Sequence, residues 1–159
     1  MNYFQITKCD LLNGEGIRVV LWLAGCSHKC KGCQNAYTWD CNGGLPFTDE
    51  VKKELFEALS KPYISGLTLS GGDPLFVKNR ECVAKLIEEI KERFPLKTIW
   101  LYTGYSFSDV KTFPEIRRVL HLIDVIVDGE FKEELKCFDY KWAGSTNQRI
   151  LRIEERDDS

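Results

Sequence analysis

Arg18-Val19-Val20-Leu21-Trp22-Leu23-Ala24-Gly25-Cys26-Ser27-His28-Lys29-Cys30-Lys31-Gly32-Cys33 is an apolar, β-branched run that breaks at a glycine into three cysteines within eight positions. The run reads as a buried strand and the cysteines as a loop at its carboxyl end. Similar runs predict strands at Gly66 to Ser70, Lys97 to Thr103, Leu122 to Asp128 and Gln148 to Ile153. Helical spacing lies between them. Thr48 is placed to cap a helix whose first turn carries Asp49 and Glu50 and whose apolar face is Val51, Leu55, Ala58 and Leu59, ending near Ser60. Asn79 is placed to cap a second, with Val83, Leu86, Ile87, Ile90 and Phe94 on one face and Pro95 as its stop. A third, shorter helix is expected from about Ser108 to His121.

Strands alternating with helices imply right-handed βαβ units and a parallel sheet, an α/β fold with too few units for a closed eightfold barrel. The unusual residues then fall in a pattern. The cysteine cluster, Gly71-Gly72-Asp73-Pro74, Thr103-Gly104-Tyr105 and Asp128-Gly129 each follow directly after an expected strand. In a parallel sheet those carboxyl ends share one edge, where ligand sites are built.

Composition narrows the function classes. Twenty-two basic and 24 acidic residues give a formal charge of −2 with no long block of one sign, so no nucleic-acid or membrane surface is expected. The amino-terminal stretch lacks a basic cluster followed by an apolar core. The longest nearly apolar run, Val19 to Cys26, is far short of the roughly 20 residues that span a bilayer. Seven cysteines, an odd number with three crowded together, suit a reducing compartment better than a disulfide framework. The expectation is a soluble, cytoplasmic protein. No repeat, low-complexity tract or linker divides residues 1–159, which read as a single domain.

Soft thiolates select iron-sulfur clusters, zinc or copper(I). Structural zinc is usually closed by four ligands in paired spacings, and an electron-transfer 4Fe-4S cluster normally takes four cysteines. Here the local count is three, Cys26, Cys30 and Cys33. Three thiolates on a cluster leave one iron free to bind and activate a substrate. On the residues alone, a zinc-stabilised binding module completed by His28, Cys41 or Cys9 stays open, as do inert thiols. His28 reads as an exposed loop residue, and Cys82 and Cys137 as ordinary thiols. Gly-Gly-Asp-Pro by itself is a common strand-to-helix turn. Its place beside the cysteine loop turns the reading towards a ligand site.

The CxxxCxxC spacing resembles the signature of the radical S-adenosylmethionine (SAM) superfamily, and Gly14-Glu15-Gly16-Ile17-Arg18 with Cys33-Gln34-Asn35-Ala36-Tyr37-Thr38-Trp39-Asp40 resembles its glycyl-radical-enzyme activases. Gly66 to Leu75, Trp100 to Tyr105, Asp128-Gly129-Glu130-Phe131 and Gly144 to Arg149 are similar to the anaerobic ribonucleoside-triphosphate reductase-activating proteins. The resemblance runs from about residue 10 to 152. It implies a truncated parallel (β/α) partial barrel of the radical SAM type, and one 4Fe-4S cluster held by Cys26, Cys30 and Cys33. It also implies reductive cleavage of SAM to methionine and a 5'-deoxyadenosyl radical, which forms a glycyl radical on the large subunit of an anaerobic ribonucleotide reductase. An external flavodoxin or ferredoxin is the implied electron donor. A small-molecule radical SAM enzyme of the deazaguanine-synthase type is the alternative within the superfamily.

By the same resemblance the cofactor-binding set is Gly32, Cys33, Gln34, Asn35, Gly71, Gly72, Asp73, Thr103 and Asp128. Gly71 and Gly72, with no Cβ, would permit close approach of a ligand, and Asp73 would accept from the methionine ammonium of SAM. Asn35, Thr103 and Asp128 would take the ribose or methionine portion. Gly32 departs from the superfamily, many of whose members carry an aromatic residue just before the third cysteine. Adenine stacking then falls to Tyr37, Trp39, Tyr102 or Tyr105.

Overall fold

In the computed structural model, which describes residues 1–33 and 35–153, β1 (Asn2–Asp10) pairs antiparallel with β2 (Arg18–Leu23). The short β3 (Leu45–Pro46) pairs with β1, and helix α1 (Asp49–Leu59) follows it. Then come β4 (Gly66–Gly71), α2 (Arg80–Arg93), β5 (Thr98–Tyr102), the single-turn helices α3 (Phe107–Val110) and α4 (Pro114–Arg117), β6 (Val125–Asp128) and β7 (Arg149–Arg152). The seven strands form one open mixed sheet in the order β3-β1-β2-β4-β5-β6-β7. β2, β4, β5 and β6 run parallel at its centre, and β1, β3 and β7 are antiparallel at its margins.

The central strands are buried on both faces, as the continuous apolar runs of a covered parallel sheet require. One face packs on Leu55 and Leu59 of α1, Val83, Ile87 and Ile90 of α2, and Ile116 of α4. The other carries Trp100, Val125 and Val127, covered by Trp142 and Ile150 rather than by a helix. Trp100 is core, and Trp142 meets it edge to face with ring centroids 5.0 Å apart.

Several expectations change in detail. The sheet is not wholly parallel: β1, unread in the sequence, lies antiparallel on β2, and the strand expected at Gln148 to Ile153 forms antiparallel to β6 as β7. Thr48 caps α1, its hydroxyl accepting from the Val51 amide. Asn79 occupies the corresponding position of α2, but its side chain turns away and donates to the Ala24 carbonyl at 2.9 Å. The single helix expected from Ser108 to His121 is broken into α3, α4 and a 3-10 turn at Leu120–Leu122. Pro114 is the cause, because a residue preceding proline disfavours helical backbone, and Phe113 is extended there (φ −82°, ψ 110°).

Candidate metal centre

The parallel register places four peptides at one edge. The cysteine loop leaves β2, Gly72-Asp73 leaves β4, Thr103-Gly104-Tyr105 leaves β5, and Gly129-Glu130 leaves β6. The base of the cysteine loop is laced to the chain around it. The Gly25 amide donates to the Thr38 carbonyl (2.7 Å), Cys26 to Trp39 (3.1 Å), and Asp73 to Gly25 (2.7 Å). Gly71 and Gly72 make this possible. A Cβ on Gly71 would lie 2.5 Å from the Leu23 amide nitrogen, and one on Gly72 would overlap the Gly25 carbonyl. At both glycines the protein's own backbone approaches closely.

Cys26, Cys30 and Cys33 are free and partly exposed on this loop. Burial pushes the Cys26 and Cys30 thiols up, opposed at Cys26 by the backbone amides of Lys29 and His28, and reinforced at Cys30 by Glu130. The thiols are near enough for charge on Cys33 to raise both of the others. The Asn35 amide donates to Cys33 Sγ at 3.4 Å. Among the described residues no three His, Cys, Asp or Glu side chains converge on a point that one metal ion could occupy. Three free thiols on one short loop are a donor set that suits an iron-sulfur cluster.

The polar residues expected to face a ligand are engaged with protein. Asp73 is buried, accepting from the Leu75 amide (2.8 Å), Thr103 Oγ1 (2.9 Å to both oxygens) and the Gly104 amide (2.9 Å). Asp128 is buried as well, accepting from Arg149 Nε (3.0 Å) and from the Phe107 amide that opens α3 (2.8 Å). Both the Thr103 and the Asp128 side chains brace the edge from within. The Asn35 carbonyl accepts the Thr38 amide at 2.8 Å, closing the turn after the third cysteine. Gln34, also expected in the set, lies outside the described residues.

Gly32 has φ +76°, and a Cβ there would lie 3.0 Å from Glu133 Cδ, which accounts for the aromatic residue not being present. Gly32→Phe is expected to cost about 1–2 kcal/mol in left-handed strain. That corresponds to a fall of roughly 2–8 °C in thermal melting, the measurement that checks it. Of the aromatic candidates, Tyr102 is withdrawn into the sheet face with its hydroxyl on the Trp142 carbonyl. Tyr37 is exposed, and Trp39 holds a buried indole N–H with no partner among the described residues.

Two residues at this edge carry more than the sequence disclosed. The His28 side chain is only 9% exposed, not a free loop residue. Its Nε2 lies 2.9 Å from Asp73 Oδ2, close but out of line for a hydrogen bond, so charge rather than direction carries the contact. Asp73 raises the His28 pKa above its ordinary value, against the opposing effect of burial. Glu130 reaches both His28 Nδ1 (3.3 Å) and Cys30 Sγ (4.0 Å). Its position after Asp128-Gly129, at the end of a parallel strand, was the available signal.

Residues 12–151 match a family model described as a 4Fe-4S single cluster domain. The chain is similar along nearly its whole length to proteins named anaerobic ribonucleoside-triphosphate reductase-activating protein. It is 49% identical to that of Enterobacteria phage T4 over 150 residues, covering 94% of this chain and 93% of the relative. The proteins of Escherichia coli strain K12 and Pasteurella multocida are 40% and 37% identical over 155 residues, covering 96% of this chain and 99% and 98% of theirs.

Proposed function

Because the chain belongs to the family of anaerobic ribonucleoside-triphosphate reductase-activating proteins, we propose that it activates such a reductase by radical SAM chemistry at its cysteine loop. The observation that carries this reading is the set of three free thiols on one loop, beside a buried carboxylate at the carboxyl edge of four parallel strands. The chemistry supplied by the bound 4Fe-4S cluster is one-electron reduction of SAM to methionine and a 5'-deoxyadenosyl radical, the species that takes a hydrogen atom from a glycine of the reductase.

The chain's own residues divide the remaining work. Cys26, Cys30 and Cys33 hold the cluster as thiolates, and the Asn35 amide on Cys33 Sγ is the kind of hydrogen bond that tunes cluster potential. Asp73 draws the methionine ammonium electrostatically, held in place by Thr103 and the Gly104 amide. Gly32, Gln34 and Asn35 flank the third cysteine in sequence and complete the proposed ligand-binding set. Gly71 and Gly72 bring the cysteine loop down onto β4, and Asp128 fixes the β6 turn through Arg149.

In this reading residues 1–159 are one domain, and the four parallel strands are a truncated (β/α) partial barrel of the radical SAM type. Its open side admits a glycine-bearing loop of the reductase, whose surface completes the exclusion of water. A flavodoxin or ferredoxin supplies electrons from outside, in the cytoplasm, with neither nucleic acid nor membrane involved. Anaerobic mixing of the loaded protein with the reductase, a reductant and SAM tests this. Glycyl radical is expected to appear in step with methionine release, and SAM cleavage that leaves the reductase without a radical contradicts the proposal.

A further inference from the structure

Four residues meet on the imidazole of His28, and they come from the ends of three different strands. The histidine itself sits between Cys26 and Cys30 in the loop after β2. Asp73 Oδ2, after β4, is 2.9 Å from Nε2. Glu130 Oε1, after β6, is 3.3 Å from Nδ1. After β5, Tyr105 lies edge to face on the ring with centroids 4.5 Å apart, and Gly104 packs so closely that a Cβ there would stand 2.6 Å from His28 Cδ2. Ser27, next in the loop, adds a 3.2 Å contact between its hydroxyl and that of Tyr105.

We infer that His28 is a positioning residue that sets the cysteine loop against the Asp73 turn, and so fixes the cluster relative to the methionine end of SAM. The loop has few other means of doing this. Among the described residues its backbone-to-backbone hydrogen bonds to the rest of the chain lie at its base, on Gly25 and Cys26, whereas Lys29 and Lys31 are exposed, and Lys29 takes a left-handed φ of +49°. Beyond Cys26 the loop is held down by the buried imidazole, with Glu130 bridging that imidazole to Cys30. Partners of this kind orient metal ligands, and removing one typically costs roughly 10–100-fold in affinity or activity. Gly104 is part of the same device, because the imidazole fills the space a side chain at 104 would need.

The inference rests on the reading of Cys26, Cys30 and Cys33 as cluster ligands. Its test compares wild type with His28→Ala, His28→Gln and Gly104→Ala after anaerobic iron-sulfide reconstitution. The readouts are iron content, SAM affinity and the electron paramagnetic resonance of the reduced protein with and without SAM. His28→Ala is expected to keep its iron, to bind SAM about 10–100-fold more weakly, and to lose most of the SAM-induced change in signal. His28→Gln, which keeps a donor and an acceptor, restores much of both. Gly104→Ala, which displaces the ring without removing it, weakens SAM binding in the same sense. In the cluster-free protein, amide exchange across residues 26–33 is expected to quicken in His28→Ala.

A wild-type response to SAM that is unchanged in both His28→Ala and Gly104→Ala overturns the inference alone. A wild type with no SAM-sensitive cluster signal overturns the cysteine reading as well. Should His28→Ala fail to hold iron, Gly104→Ala decides by the same readout.

Discussion

Cys26→Ala, Cys30→Ala and Cys33→Ala are each expected to abolish the 4Fe-4S signal and all glycyl radical formation while leaving the protein folded. Three thiolates are the smallest set that holds a cubane and leaves one iron for a substrate, so the loss is all or none rather than graded. Folding survives because the loop's anchoring hydrogen bonds are made by backbone, from Gly25 to Thr38 and from Cys26 to Trp39, and the thiols themselves are partly exposed. The cost in stability is expected to be about 1 kcal/mol or less, within the ordinary range for substitutions outside the core. Cys9→Ala and Cys82→Ala, both on exposed positions, serve as controls that retain cluster and activity. Iron and sulfide content and radical yield check the result. A Cys30→Ala protein with a full cluster would move the ligand set elsewhere, with Cys41, which packs against Gly25 at the base of the loop, a candidate.

Arg18→Ala is the second large expected effect, and it acts at the opposite end of β2. The Arg18 side chain is fully buried, and all five of its N–H donors are satisfied without a carboxylate. Nε donates to Thr68 Oγ1 (2.8 Å), Nη1 to the Glu15 carbonyl and Thr98 Oγ1 (both 2.9 Å), and Nη2 to the carbonyls of Leu67 (2.9 Å) and Thr98 (2.8 Å). The guanidinium also lies over the Trp100 ring, 5.6 Å from its centroid. Burial lowers its pKa to about 10, which still leaves it charged at neutral pH. Truncation opens a cavity under Trp100, strips the donor from the buried Leu67 carbonyl, a penalty of about 1–3 kcal/mol, and removes the donors to the part-buried carbonyls of Glu15 and Thr98. Partial relaxation leaves a net loss of about 4 kcal/mol, among the largest for single substitutions. Thermal melting is expected to fall by roughly 8–16 °C. Arg18→Met, which keeps the volume but not the donors, should recover only part of that. A melt within the error of wild type would remove Arg18 from the framework.

How much of this was legible in the sequence depends on how local each signal is. β2 and the cysteine loop were plain, since one is a continuous apolar run and the other carries its chemistry in its spacing. Helix α1 was equally plain, with Thr48, Asp49 and Glu50 marking its start. β1 was missed because Asn2 to Asp10 mixes Tyr, Phe and Ile with Lys, Asp and Gln, the pattern of a half-covered strand near a sheet margin rather than of a core. The brace made by Asp128, Arg149, Asn147 and Gln148 could not be read, because its bonds join residues that only the pairing of β6 with β7 brings together.

The site followed the same rule. That four strand ends converge was inferred from order alone, and the parallel register of β2, β4, β5 and β6 bears it out. What each side chain does there was not inferable. Asp73, Thr103 and Asp128 carry ligand chemistry in their type, and their burial and hydrogen bonds to neighbouring amides and side chains could not be read from type alone. His28 looked dispensable between two cysteines until Gly104 and Asp73 came to lie against it.

The central claim is that three cysteines hold a cluster whose remaining iron takes SAM directly. Electron paramagnetic resonance of the anaerobically reconstituted, reduced protein, recorded with and without SAM, tests it most directly. A 4Fe-4S signal whose g values shift when SAM is added is the predicted result, and a cluster signal indifferent to saturating SAM would contradict it.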